Sequence, residues 1–191
     1  PPTPQFVCVG TIEPRKNLPR LLRAYASLGD SAPPLVIAGG SGWGGQDLPR
    51  LLAELAIEGR VHLCGHVQDR ELQALYAGAR CLLMPSLYEG FGLPVLEAMQ
   101  HGVPVIAAAA GSLPEVAGDA ALLVDPLSEA EIAGATRRLL EEPGLREELS
   151  RRARARAAEF SWQRAANETL AVFETALAQR NPGLATEELR D

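Results

Sequence analysis

The sequence predicts an α/β fold: a doubly wound parallel sheet of about six strands with helices on both faces, followed by further helices towards the C-terminal end. Three observations predict it. Short apolar runs recur along the chain, each closing on glycine, proline or a polar turn. Between them lie stretches whose apolar residues return at three- and four-residue spacing, the period of an amphipathic helix. Of the 191 residues, 47% are hydrophobic, enough to bury one substantial core in a single domain. Strands that alternate with helices form a parallel sheet covered on both faces.

Gln5 to Val9 reads as the first strand and ends at Gly10, after which Leu18, Leu21, Leu22 and Tyr25 recur at helical spacing. Pro34 to Ala38 is a second buried strand closing on Gly39-Gly40, Leu48 to Ala56 a helix, and Val61 to Cys64 a third strand. Asp69 then stands as an N-cap, with Leu72, Leu75 and Tyr76 as the apolar face of the helix it starts. Cys81 to Met84 is a fourth strand, Val103 to Ala107 a fifth and Ala121 to Val124 a sixth. Beyond Pro126 the stretches Ser128 to Glu141, Gly144 to Phe160 and Trp162 to Gln179 are helical and rich in Ala, Glu, Arg and Leu. The expected organisation is one domain over residues 1–180 and a polar tail over 181–191. The opening Pro1-Pro2-Thr3-Pro4 reads as linker, so the chain is expected to be half of a larger protein.

A formal charge of −6 argues against a nucleic-acid surface, which demands a basic face, so any phosphate site must be local. No apolar run reaches the roughly 18 to 20 residues that span a bilayer, and a cytoplasmic protein is expected. Cys8, Cys64 and Cys81 lie in apolar segments without metal-ligand spacing and are expected to be buried, reduced packing residues. His62, His66 and His101 fall on a strand, a loop and a helix end, and none reads as a general base.

The chemistry concentrates between Pro85 and Met99, where Glu89 and Glu97 flank the turn Gly90-Phe91-Gly92-Leu93. Pro94 suits a first helical position, and Val95, Leu96, Ala98 and Met99 continue the helix. A helix N-terminus behind a glycine turn is a seat for an anion. Carboxylates only accept hydrogen bonds and repel phosphate, so Glu89 and Glu97 must serve something that donates, such as sugar and ribose hydroxyls. The plain alternative is an ordinary strand-turn-helix connection with two solvated glutamates.

Of the 18 basic side chains 17 are Arg, and the single lysine is Lys16, beside Arg15 in the loop after the first strand. A compact ammonium on a flexible stem suits a phosphate clamp where a planar fork would not fit, and Arg15 could fork two oxygens. Removing either cation is then expected to weaken anion binding with little loss of fold stability. The fingerprint Gly-x-Gly-x-x-Gly is absent after the first strand, which disfavours a nicotinamide dehydrogenase. If strands one and four adjoin, both loops open at one switch point.

Together these residues resemble the donor-nucleotide half of a GT-B glycosyltransferase, of the large retaining family (family 4, group 1 type), with a Rossmann-like domain. The resemblance covers the chain to about Ala178. It implies that Glu89 contacts donor-sugar hydroxyls and Glu97 the ribose, and that the amides of Gly90, Phe91, Gly92 and Leu93 meet sugar and diphosphate. Arg15 and Lys16 match its cationic pair, Val67 of Gly65-His66-Val67 its base-edge contact, and Phe160-Ser161-Trp162 the start of its last helix. Thr11 departs from the pattern, since many relatives carry Arg there. Gly111 to Glu115 is expected on the cleft floor.

The resemblance implies transfer of a hexose, mannose or glucose, from a nucleoside diphosphate sugar to a hydroxyl acceptor, with Arg15, Lys16 and Glu89 as the catalytic residues. No cofactor or metal is required, and no Asp-x-Asp cluster is present. The acceptor-binding domain would be missing, leaving the isolated chain inactive, and any peripheral membrane association would run through that domain. Two other classes remain open: a non-catalytic nucleotide-sugar-binding module, and an epimerase or phosphorylase of the same architecture.

Overall fold

The computed structural model describes residues 5–44 and 47–180. The linker reading of Pro1 to Pro4 and the polar tail over 181–191 lie outside the described residues. Six parallel strands form one sheet: β1 (Gln5–Val9), β2 (Leu35–Ala38), β3 (Val61–Gly65), β4 (Ala79–Met84), β5 (Val105–Ala108) and β6 (Ala121–Val124). Their order across the sheet is β3-β2-β1-β4-β5-β6, so the winding reverses between β1 and β4, which pair directly. The helices are α1 (Leu18–Ala26), α2 (Leu48–Glu54), α3 (Asp69–Gly78), α4 (Leu93–Gln100), α5 (Leu113–Ala117), α6 (Glu129–Glu141), α7 (Pro143–Ala158) and α8 (Trp162–Arg180).

Alternation along the central strands divides the core. Phe6, Cys8, Leu35, Ile37, Cys81, Leu83 and Ile106 face one layer, filled by Leu18, Leu21, Leu22 and Tyr25 of α1 and by Ile132 and Leu139 of α6. On the other layer α3 packs on β1 and β4, α4 on β4 and β5, and α5 on β5. Every residue of β1, β2 and β5 is buried, as two-faced cover requires.

The chain clusters into two compact units, Pro1–Ala157 and Ala158–Asp191. The second holds α8, which Ser161 caps by accepting from the Arg164 N–H at 3.1 Å. Its Leu170, Phe173 and Leu177 are all exposed.

Three expectations are corrected. Cys64 is exposed, because β3 is an edge strand whose only buried residue is Val61. Gln68, not Asp69, is the N-cap of α3, in a capping box with Glu71. Helix α4 starts at Leu93, so Pro94 is its second residue. Beyond these, the segment Gly111 to Glu115 enters a short helix, α5, which packs on α4 and β5.

The loop after β1 makes a single 3₁₀ turn at Pro14–Lys16 and is then reset by Asn17, whose φ of 58° is left-handed. The Asn17 side chain donates to Pro85 O at 3.0 Å and Pro126 O at 2.7 Å, tying this loop to the ends of β4 and β6. Losing two such bonds to carbonyls costs about 2 kcal/mol, and a β-carbon without them at left-handed φ about 1 kcal/mol more. Asn17→Gly is therefore expected to lose about 2 kcal/mol in urea unfolding and Asn17→Ala about 3 kcal/mol. Wild-type stability in the glycine variant would show that the bonds contribute nothing.

Candidate functional site

The site forms where β1 and β4 end side by side. Gly10 closes β1 at φ 141°, and a β-carbon there would fall 2.6 Å from Cε and Nζ of Lys16. Only glycine lets the lysine stem lie back over the strand end. A β-carbon on Gly39, at the end of β2, would collide with Gly10 O, so the neighbouring strand end also has to be bare. The loop is held from the other side by the Leu87 N–H, which donates to Arg15 O at 2.7 Å.

Lys16 is thereby 6% exposed and Glu89 7%, and they meet: Nζ donates to Oε1 at 2.7 Å. Arg15 Nη1 donates to the other carboxylate oxygen at 2.8 Å, and its Nε to Glu13 Oε2 at 2.8 Å. Arg15 Nη2 makes no hydrogen bond among the described residues, and the side chain is 38% exposed. Both cations are thus paired with a carboxylate, and the burial of Lys16 revises the expectation that it can be removed at little cost to the fold.

The turn bearing Glu89 is pinned from α5. The single Ser112 hydroxyl hydrogen is shared between Phe91 O, 2.7 Å from Oγ, and Glu89 O, 3.0 Å from it. Gly111, at φ 58°, lets its backbone approach, since a β-carbon would sit 3.0 Å from Glu89 O. Gly92, at φ 100°, is the N-cap of α4, and no side chain caps that terminus. Gly90, Phe91 and Leu93 are exposed in front of it. An uncapped helix start beside two cations favours anionic groups.

Glu97 sits one turn into α4 and has a separate partner: Tyr76 OH donates to its Oε2 at 2.9 Å. Tyr76 is fully buried and stacks on His101 at 5.9 Å, and His101 Nε2 lies 2.6 Å from Gln73 Oε1. Burial first, then the Glu97 charge and hydrogen bond, push the Tyr76 hydroxyl well above its ordinary value, so it remains a donor. Helical spacing places Tyr76 only on an apolar face, and its lone hydroxyl on that face was the available signal. Val67 lies past the end of β3, two strands from β1. No hydrogen bond among the described residues joins it to the Glu89 cluster.

Burial raises the Glu89 carboxyl, but the Lys16 hydrogen bond and the charges of Lys16 and Arg15 outweigh it and hold it below the usual carboxylate range. The Ser86 hydroxyl is close enough to add to this, though it forms no bond of full hydrogen-bond geometry. Burial pushes the Cys8 thiol up to about 12, leaving it unreactive. His62 and His66 are exposed. No three His, Cys, Asp or Glu side chains among the described residues are grouped to hold a metal ion. No helix among them is long and apolar enough to cross a membrane.

A family model described as glycosyl transferases group 1 matches residues 2–156. Over 168 residues the chain is 41% identical to the O-antigen chain mannosyltransferase B of Escherichia coli, covering 86% of this chain and 44% of that protein. Sucrose-phosphate synthase from Thermosynechococcus elongatus superposes with a TM-score of 0.81 at 29% identity, covering 94% of this chain and 47% of the synthase. Anabaena HepE, in complex with UDP and glucose, gives a TM-score of 0.79 at 25% identity over 90% of this chain and 48% of its own. The chain spans less than half the length of each.

The buried pair contributes to stability in acid. A carboxylate held below its unfolded value, about 4.3, contributes fully above that pH and loses its contribution as pH falls through the lower folded value. Lys16→Met leaves Glu89 buried with only Arg15 and is expected to cost about 3 kcal/mol at pH 7. Because burial alone raises the carboxyl, the variant is also expected to lose less further stability between about pH 5 and 3 than wild type. Urea unfolding across that range checks both, and equal stabilities at pH 7 would contradict the assignment.

Proposed function

The chain belongs to the glycosyl transferases group 1 family, and on that premise we propose that it is the donor-binding half of a retaining hexosyltransferase that uses a nucleoside diphosphate sugar. One observation carries the reading: Arg15, Lys16 and Glu89 meet at the carboxyl ends of β1 and β4, the switch point of the sheet, beside the uncapped start of α4. A carboxylate has about four lone-pair sites, and the two cations fill two of them. The rest face vicinal hydroxyls of a sugar. Arg15 Nη2, the remaining Lys16 hydrogens and the amides of Gly90 to Leu93 face a diphosphate. One cluster thus reads both ends of a phosphate-linked sugar.

The costly event in such a transfer is departure of the nucleoside diphosphate. Cations fixed beforehand against Glu89 and a preformed helix terminus stabilise the growing charge without reorganising, and this reading needs no metal or cofactor. Glu97, steadied by Tyr76, takes the ribose, and Val67 the base edge. The hexose is mannose or glucose, in keeping with the mannosyltransferase name of the E. coli relative and the UDP and glucose bound by HepE. The acceptor is held by a preceding domain, which also makes any peripheral membrane contact, and the protein works in the cytoplasm. The isolated chain binds donor and transfers nothing.

Thermal-shift measurements with GDP-, UDP- and ADP-sugars identify the donor, since a ligand of the folded state raises apparent stability by mass action. No shift with any of them would remove the donor-site reading. Arg15→Ala is expected to weaken nucleoside diphosphate binding by about 1.5–3 kcal/mol without unfolding the chain, because Arg15 is half-exposed.

The two carboxylates are expected to separate by role. Glu97→Gln should weaken the bare nucleoside diphosphate by about 1–3 kcal/mol, whereas Glu89→Gln should spare it and weaken the matching nucleotide sugar. Titration of both variants with both ligands decides it. Equal weakening of the two ligands by Glu89→Gln would end the division of labour.

A further inference from the structure

A second cluster of cations lies at the opposite edge of the sheet. Arg146, Ser150 and Arg154 succeed one another at four-residue spacing on α7, with Glu147 and Arg151 beside them, and together with Arg80 they line an open groove of about 680 Å³. Arg80 is the second residue of β4, whereas the Glu89 turn follows the last, Met84. The groove therefore opens at the amino ends of the parallel strands.

Three of its four guanidiniums lack partners among the described residues. Arg80 Nε is buried without a hydrogen bond, and neither the Arg146 nor the Arg154 side chain makes an ion pair or hydrogen bond among the described residues. Arg151 is engaged by Glu148, and Ser150 Oγ donates to Gly102 O at 2.6 Å. A β-carbon on Gly102 would collide with the Arg154 guanidinium, so that side chain occupies the space a larger residue would fill. Three guanidiniums without partners, and a fourth held by Glu148, thus line a groove with a single lining carboxylate, Glu147, in a chain of formal charge −6. Like charges gathered without counter-charges repel, and a buried N–H without an acceptor is costly.

We infer that this groove is a second anion site, taking a phosphate group of two or more charges from a soluble phosphorylated compound or a lipid headgroup. Guanidinium forks match phosphate oxygens pairwise, and the volume falls in the usual range for small-ligand sites, about 300–1,000 Å³. The site is independent of the donor reading, since it shares no residue with it.

Calorimetric titration of the chain with inorganic pyrophosphate tests it. Arg146→Gln combined with Arg154→Gln is expected to weaken binding at the groove at least tenfold. Arg137→Gln combined with Arg138→Gln makes the same charge change on α6 and is expected to leave it unaltered. Pyrophosphate held near Arg15 contributes alike to all three titrations. Equal binding by wild type and the groove variant, or equal weakening in both variants, would overturn the site. Vesicles of phosphatidylcholine carrying phosphatidic acid separate the sources: cosedimentation abolished in the groove variant identifies a headgroup, and pyrophosphate binding without cosedimentation identifies a soluble compound. Either carries the site. Because the Arg146 and Arg154 side chains have no bonded partners, the groove variant is expected to melt with wild type, whereas the control variant gives up exposed contacts of Arg137 with Ser27 O and of Arg138 with Glu142 and is expected to melt no higher; a thermal scan verifies that both are folded during the titrations.

Discussion

A carboxylate that is 7% exposed cannot remain ionised without a counter-charge, and the carboxyl edge of the sheet is arranged to bring one to Glu89. The lysine comes from the loop after a different strand, 73 residues earlier, so the pair closes only if both loops are fixed in position. Gly10 and Gly39 clear the passage, Asn17 turns the chain out of the 3₁₀ turn towards α1, and Ser112 holds the carbonyls flanking Gly90. Taken singly these are small effects. Together they place one ion pair at the point where the winding of the sheet reverses.

The same arrangement decides what the site can bind. With Glu13 and Glu89 opposite Arg15 and Lys16, the cluster is balanced in charge. On the donor-site reading proposed above, such a cluster favours a ligand that brings an anion to the cations and hydroxyls to the carboxylate together over an anion alone. Loose cations would need to be reorganised as charge develops on a leaving group, and these are already held. The buried pair therefore limits both stability and ligand choice, and a change at Lys16 acts on both.

Much of this was legible before any coordinates, for physical reasons that differ between elements. The strands β1, β2 and β5 are buried on both faces, and unbroken apolar runs between glycines announce that burial directly. Cys64 was misplaced because an edge strand with one uncovered face can carry the same apolar letters as a central one. The helices α1 and α6 show their period, whereas α5 has five residues, too few for a period to declare itself. At the site, residue types and spacing singled out Arg15, Lys16, Glu89 and Glu97. What they could not reveal was pairing across long separations: Lys16 with Glu89, and Tyr76 with Glu97. Pattern reports which way a side chain faces, and the sheet order then decides what it meets.

The choice of cation follows from the space each must occupy. Across Gly10 there is room for a methylene stem and a compact ammonium, and the Lys16 Cε and Nζ fill it so closely that no β-carbon could be added. A planar guanidinium, broader and needing several acceptors in one plane, would have one buried carboxylate oxygen to satisfy it. The neighbouring Arg15 has the opposite circumstances, half-exposed with two carboxylates to fork between. The groove at the amino edge, open and lined by Arg80, Arg146, Arg151 and Arg154, likewise gives planar groups room to spread. A chain that otherwise uses arginine throughout thus holds its single lysine at the one place described here where an arginine head would have to be buried over a glycine. The composition and the geometry at Gly10 are therefore two expressions of the same steric constraint.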